Sequence, residues 1–350
     1  MSNPGYKQLP SSGDPSARSS ISLTKDDRWG LILAGGDGSR LLPLTRKIAG
    51  DERPKQFCSI LGGRTLLEET RQRVQLALSP IKTMFVLTRK HERFYEGTLA
   101  DVPKRNLVVQ PKNAGTAPAI LYSLLRLERQ NPAASVAFFP SDHYFSDDRA
   151  FMAQVKFAFD AVRSHPELVF LLGIRPEHPN EEYGWIEPVA NDNTDRFSRV
   201  RRFWEKPAPA IARDLMDRGC LWNSFVMVGK VSTFLKMIRM AVPDLYARFA
   251  VAKSTLGKPE EEITISAIYE LLSNANFSHD VLSASATDLA VIPVRGSKWS
   301  DLGSPHRVLS TMSEIGIAFP TKRDKPGYSK NLPEGHYERR TSHANEVVRR

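Results

Sequence analysis

Residues 30–41 read Gly30-Leu31-Ile32-Leu33-Ala34-Gly35-Gly36-Asp37-Gly38-Ser39-Arg40-Leu41. The apolar run from Gly30 to Ala34 has the character of a buried strand, and it leads into three glycines within four positions. Without Cβ atoms at Gly35, Gly36 and Gly38, backbone N–H groups are able to face a bound anion. Arg40 adds a fixed positive charge beside them, and Pro43, Thr45 and Pro54-Lys55-Gln56-Phe57 follow. The Gly-Lys-Ser/Thr ending of a Walker A loop is missing, and the third glycine of G-x-G-x-x-G is met from neither Gly35 nor Gly36. A tight strand–helix turn with no ligand is the alternative; Arg40 and Lys55 favour phosphate.

Outward from this loop, strand and helix signals alternate. Leu67, Val74 and Leu78 fall at helical spacing after Thr65, an N-cap residue type. Met84–Leu87 and Leu107–Val109 read as strands, and Ala117–Leu127 as a helix with Pro118 tolerated in its first turn. Val136–Phe139 is a strand ended by Pro140, Phe151, Val155, Phe159 and Val162 form a helical stripe, and Leu168–Ile174 is the next strand. Such alternation predicts an α/β fold, a Rossmann-like, mostly parallel sheet covered by helices on both faces. After about residue 175 the pattern changes. Trp185–Val189 and Phe197–Trp204 are expected to form a small antiparallel, ligand-binding insertion. A strand at Trp222–Val228, helices over Val231–Leu272 and a strand at Leu289–Val294 complete the unit.

Residues 1–27 and 320–350 lack apolar periodicity and are expected to be disordered extensions, the second basic, around a domain spanning 28–319. Of 350 residues, 49 are Lys or Arg and 39 Asp or Glu, a formal charge of +10 with no Lys/Arg block of the roughly 5–8 residues that marks a nucleic-acid patch. Neither nucleic acid nor membrane is an expected partner, since no apolar run approaches the ~18 residues that span a bilayer. A cytoplasmic location is expected. Cys58 and Cys220 have neither disulfide-framework nor zinc spacing and read as small buried hydrophobes.

Leu-Ala-Gly-Gly-x-Gly-x-Arg-Leu-x-Pro-Leu-Thr followed by Pro-Lys-Gln-Phe resembles the sugar-phosphate nucleotidyltransferases, most of all the mannose-1-phosphate guanylyltransferases. The resemblance continues in order through Gly115-Thr116-Ala117-Pro118-Ala119-Ile120, Phe139-Pro140-Ser141-Asp142-His143, Glu205-Lys206-Pro207, Trp222-Asn223-Ser224 and Trp299-Ser300-Asp301-Leu302-Gly303. It implies the nucleotide-diphospho-sugar transferase type of fold, in which the antiparallel insertion binds sugar. It also implies transfer of a nucleoside monophosphate from an NTP, GTP in the specific reading, to a hexose 1-phosphate such as mannose 1-phosphate. The attacking phosphate oxygen is already ionised, so alignment and charge neutralisation suffice and no Ser–His–Asp system is needed.

Carried over residue by residue, the resemblance makes Arg40, Lys55 and Asp142 catalytic. Ala34, Gly35, Gly36, Gly38, Ser39, Gly115, Thr116 and Pro118 would bind the nucleotide, and Glu187, Lys206 and Asn223 the sugar phosphate. Asp142 and Asp301 would hold Mg2+, the expected cofactor. Taken singly, Asp142 reads better as a loop-capping Asx turn and Asp301 as a helix N-cap, while an exposed strand-end lysine is the lesser alternative for Lys206 within its three-residue match. His143 lacks partner spacing for a metal cluster and reads as a packing or polar residue.

Two departures bear on the substrate. Ala114-Gly115 stands where guanylyltransferases have Arg-Asn, and Phe225 where they have glycine after Trp-Asn-Ser. Phe225 either narrows the pocket or turns outward. Competing readings are the same reaction with another NTP and hexose 1-phosphate, and a non-catalytic nucleotide-sugar sensor. An NAD-dependent oxidoreductase is disfavoured by the glycine pattern. Oligomeric state stays open, a homodimer being one option.

Overall fold

The computed structural model describes residues 27–189 and 196–318. The extensions expected at 1–27 and 320–350 lie, Asp27 apart, outside the described residues. In chain order the elements are β1 (Arg28–Leu33), α1 (Leu42–Ala49), α2 (Leu66–Gln75), β2 (Thr83–Thr88), α3 (Glu92–Tyr95), β3 (Leu107–Gln110), α4 (Thr116–Gln130), β4 (Ser135–Pro140), β5 (Tyr144–Phe145) and α5 (Asp148–Ser164). Then come β6 (Val169–Ile174), β7 (Gly184–Pro188), β8 (Ser198–Glu205), α6 (Pro209–Asp217), β9 (Leu221–Lys230), α7 (Val231–Ala241), α8 (Pro243–Ala250), α9 (Glu261–Glu270), β10 (Leu289–Pro293), β11 (Trp299–Ser300) and α10 (Pro305–Glu314).

Local chemistry explains where the helices begin. Thr65 and Glu68 form a reciprocal capping box at α2. Asp147 accepts from Ala150 N at the start of α5, and Ser304 from Arg307 N at the start of α10. Pro118 sits in the first turn of α4 and Pro305 in that of α10, where a missing N–H costs no intrahelical bond. The strands β2, β4 and β6 are buried along their whole length, as expected for strands covered on both faces.

The main sheet runs in the order β3-β2-β1-β4-β9-β6-β10-β8-β7. Its first four strands are parallel. β9 is antiparallel to both neighbours, β6 and β10 are parallel, and β7 and β8 are antiparallel. β7 also pairs with β9, so β9, β6, β10, β8 and β7 close into a five-stranded ring. The fold is therefore mixed α/β, as expected, but the expectation needs two corrections. The sheet is parallel throughout its first four strands, but beyond them only the β6–β10 pair is parallel. The antiparallel pair is no separate insertion, because main-chain hydrogen bonds to β9 and β10 build it into the main sheet. Period-two patterning reports which face of a strand is buried, not which strand lies beside it.

Two cores lie on the two faces of the sheet. Successive residues alternate between them: Leu31, Val136 and Phe138 pack with α4, α7, α8 and α9, while Ile32, Ala137 and Phe139 pack with α2, α5 and α6. Each fully buried Leu or Phe contributes roughly 1.5–3 kcal/mol relative to exposure. A third, smaller core joins Leu41, Leu44, Cys58, Ile60 and Leu66 to Leu302, Val308 and Met312. It clamps the segment after the glycine loop onto α10, near the C-terminal end of the described residues. Both cysteines are buried and free, and burial pushes each thiol up to about 11.

Candidate active site

Parallel pairing of β1 with β4 aligns Leu33 with Pro140, so the segments that follow leave the sheet side by side. Ser141 N donates to Leu33 O at 3.2 Å and fixes that juxtaposition. The carboxyl ends of parallel strands are where open α/β sheets bind ligands. Here they border a cleft of about 490 Å³ lined in part by Gly35, Gly36, Gly38, Gly115, Thr116, Asp142 and His143.

The glycine loop turns its carbonyls inward. Gln56 Nε2 donates to Ala34 O (3.1 Å) and Gly36 O (2.7 Å), and Thr88 Oγ1 to Gly35 O (2.8 Å). Gly38 has φ +59° against the Lys55 main chain, a conformation that favours glycine. Across the cleft, Gly115 has φ +95°, and a Cβ there would overlap Ala275 O and the Asn274 side chain. Ala117 N donates to Ala275 O at 3.1 Å and Phe277 N to Thr116 Oγ1 at 2.8 Å. The segment before the π-helical turn Phe277–Leu282 thus packs onto the start of α4.

Lys55 is almost buried, its side chain 11% exposed. Its Nζ lies 3.1 Å from Asp142 Oδ2 and donates to the main-chain oxygens of Asp301 (2.6 Å) and Leu302 (3.2 Å). Three of the sequence-derived residues therefore meet in one ionic cluster. His143 adjoins it, with Nε2 3.7 Å from Asp142 Oδ1. Trp299 Nε1 donates to His143 Nδ1 at 3.2 Å, which assigns the ring proton to Nε2, on the side of Asp142. Burial lowers the imidazole to about 4, so it is neutral at pH 7. For Asp301, burial opposes ionisation, but His143, Arg307 and Lys55 outweigh it and hold the carboxyl below its usual range.

Asp142 borders the cleft and suits a divalent cation shared with phosphate oxygens. The carboxylate of Asp301, the second expected ligand, is engaged by resident donors. Its Oδ1 accepts from Tyr183 OH (3.1 Å) and Gly303 N (3.0 Å) and lies 2.8 Å from Arg307 Nε. The N-cap of α10 is Ser304 rather than Asp301.

Other expected residues lie elsewhere. Ala34 and Pro118 are buried, Ser39 is exposed, and none of the three lines the cleft. The Arg40 side chain is 67% exposed, with Glu182 Oε1 3.7 Å away. Lys206 is exposed at the end of β8 with φ +46°. Asn223 is buried, and its Oδ1 accepts from Phe225 N at 3.0 Å, leaving its amide N–H groups. Glu187, expected as a sugar ligand, does not line the cleft. It accepts from Trp204 Nε1 (3.0 Å) and Arg218 Nη1 (2.8 Å) and borders a separate surface hollow with Arg201, Arg202 and Asp214. In β7 its neighbours in register are on β8, and each of its carboxylate oxygens already accepts from a neighbouring side chain.

Several residues escape the sequence reading. Gln110, Asn113, Asn274 and Asn276 line the cleft as amides, whose positions no motif spacing announces. Glu205, beside Lys206 and opposite Gly184 in register, has its carboxyl raised by burial. Its place in Glu-Lys-Pro is the signal for it. Phe225 turns inward. It lines the cleft, has φ +61°, and its ring is 6.5 Å from that of Phe277. The non-glycine residues with positive φ are Lys206, Phe225 and Leu302 among the described residues. Each lies in or next to one of the motifs, and such strain concentrates at functional sites.

The family described as Nucleotidyl transferase matches residues 29–316. The chain belongs to the nucleotidyl transferase family. Similar curated members include the alginate biosynthesis protein AlgA of Pseudomonas aeruginosa, 28% identical over 300 residues, which cover 84% of this chain and 60% of AlgA. Mannose-1-phosphate guanylyltransferase 2 of Escherichia coli O157:H7 is 31% identical over 227 residues, covering 62% of this chain and 46% of that protein. The chain thus spans about 60% or less of the length of these curated relatives. Among solved nucleotidyl transferase relatives, a Thermus thermophilus protein described as mannose-1-phosphate geranyltransferase superposes with a TM-score of 0.69. It is 28% identical, and the match covers 81% of this chain and 79% of that one. No helix among the described residues of this family member is long and apolar enough to cross a membrane.

Proposed function

We propose that this protein transfers a nucleoside monophosphate from an NTP to a hexose 1-phosphate, releasing pyrophosphate and a nucleotide sugar. The observation that carries the reading is the meeting of the glycine loop and Asp142 at one cleft above the parallel strands, with Lys55 Nζ 3.1 Å from the Asp142 carboxylate. GTP and mannose 1-phosphate are the first pair to consider, because a relative carries the name mannose-1-phosphate guanylyltransferase. Both substrates are small, charged phosphates that do not cross membranes unaided, which supports a cytoplasmic location.

In this reading the loop amides of Gly35 to Gly38 receive the triphosphate, while Gln56 and Thr88 keep the loop carbonyls turned away from it. Arg40 swings from Glu182 onto the phosphates, a short move for an exposed side chain. Lys55 neutralises charge that builds at the α-phosphorus, and its carbonyl partners hold it in place before the substrate arrives. Lys206 and Glu205 take the phosphate and hydroxyls of the sugar at the end of β8. The sugar's own phosphate oxygen attacks and pyrophosphate leaves, so no side chain has to be deprotonated. Asp142 would hold magnesium together with phosphate oxygens; bound there, the ion supplies further charge neutralisation at the phosphates.

Phe225 favours a second reading, the same reaction with a different pair, because its ring occupies cleft wall where a glycine would leave space. The test is pyrophosphate release with Mg2+ over four NTPs and several hexose 1-phosphates. A response to GTP and mannose 1-phosphate supports the specific reading. A response to another pair keeps the chemistry and changes the substrate. Silence from a folded protein that still binds nucleotide sugar overturns the transferase reading in favour of a sensor.

A further inference from the structure

Asp301 is enclosed by cations and donors. Arg307 Nε lies 2.8 Å from its Oδ1 as an ion pair, and Arg307 Nη2 donates to Oδ2 at 3.4 Å. The same guanidinium reaches Glu182 Oε2 through Nη1 at 2.7 Å and lies over the Tyr183 ring, 5.2 Å from its centre. Its side chain is 18% exposed. Tyr183 OH and Gly303 N add donors to Oδ1, and Oδ2 lies so close to Gly303 that a Cβ there would overlap it. Lys55 fills the space between Asp142 and the Asp301 main chain.

A divalent cation of magnesium's size needs unshared oxygen lone pairs in near-octahedral array. A guanidinium stays charged at any physiological pH and cannot yield the site by deprotonation. Two carboxylates, Asp142 and Asp301, are thus already matched by two resident cations. We propose that Arg307 is the permanent counter-cation of Asp301, so that a divalent cation is held at Asp142 and substrate phosphates without Asp301. Asp301 is a positioning residue. Its side chain orders the turn whose carbonyls, at 301 and 302, hold Lys55 Nζ. The role of the phosphates in this proposal rests on the transferase reading; the pairing of Arg307 with Asp301 does not.

The experiment titrates Mn2+ alone into the full chain and follows the free ion by electron paramagnetic resonance. Arg307→Met keeps an apolar stem over Tyr183 and removes the charge. It is expected to tighten Mn2+ binding about tenfold or more, the range over which residues behind a metal site alter affinity. Adding Asp301→Asn to that variant should abolish the gain. In the wild-type background Asp301→Asn should leave Mn2+ binding within about threefold, while Asp142→Asn weakens it about tenfold. The proposal fails if Arg307→Met brings no gain, or if Asp301→Asn costs wild-type binding as much as Asp142→Asn. Should Arg307→Met melt far below wild type, Arg307→Gln replaces it and the single carboxylate variants carry the decision. Pyrophosphate release is measured in parallel: its absence with the Mn2+ pattern intact overturns the transferase reading alone.

Discussion

Lys55 Nζ bridges Asp142 Oδ2, at 3.1 Å, and the main-chain oxygen of Asp301, at 2.6 Å, joining residues 246 positions apart in sequence. Its tether has two causes. Pro54 and Phe57 are buried on either side, and the small core around Leu41, Cys58 and Leu302 packs the two segments together. Lys55→Met is expected to lower pyrophosphate release by about 100-fold or more, the usual loss when one preorganised donor is removed. Lys55→Arg should not restore it, since a planar fork cannot replace a point charge among three fixed oxygens. Near-normal turnover in either variant would remove Lys55 from the chemistry.

Phe225 has a bulky side chain at φ +61°, which costs on the order of 1 kcal/mol that glycine would not incur. Phe225→Gly is expected to keep the fold and to widen the range of hexose 1-phosphates accepted, read as ratios of kcat/KM across a sugar panel. Unchanged ratios would make the ring a packing partner of Phe277 and nothing more.

Glu205 and Glu187 separate sugar contact from structure. Glu205→Gln and Lys206→Ala should raise KM for the sugar phosphate more than for the NTP. Glu187→Gln should leave both KM values near wild type and lower Tm, because Arg218 and Arg201 lose their shared partner. Equal effects on the two substrates in the first pair would count against their assignment.

His91 gives a pH dependence with a definite sign. Burial lowers its pKa below the ordinary value, although Asp37 Oδ1, 3.2 Å from Nε2, works the other way and Lys90 adds a small push down. Between the folded value and about 6.5 the unfolded chain binds a proton that the folded chain refuses. Stability therefore falls as pH drops below about 6.5. His91→Gln, whose amide nitrogen is able to reach Asp37 without titrating, should flatten the decline in Tm between pH 7 and pH 5. An unchanged slope would place the acid sensitivity elsewhere.

Much of this is legible in the sequence. Gly30 to Arg40 announces a strand and an anion-ready turn because glycine conformation is a local property, and apolar periodicity marks α2, α4 and α5 for the same reason. Asp142 is recoverable because its strand ends at Pro140. What tertiary structure alone decides involves partners remote in sequence. Nothing near Glu187 reveals Arg218, and nothing near Asp301 shows that Arg307 and Tyr183 converge on its carboxylate. Whether Phe225 turns into the cleft depends on a left-handed φ and on Phe277. The closing of β7 onto β9 depends on edge hydrogen bonds that every strand offers alike. Sequence patterns carry conformational preference and burial, which act within a few residues. Ion pairing and strand partnership are settled by which distant groups the packed cores bring within about 3–4 Å.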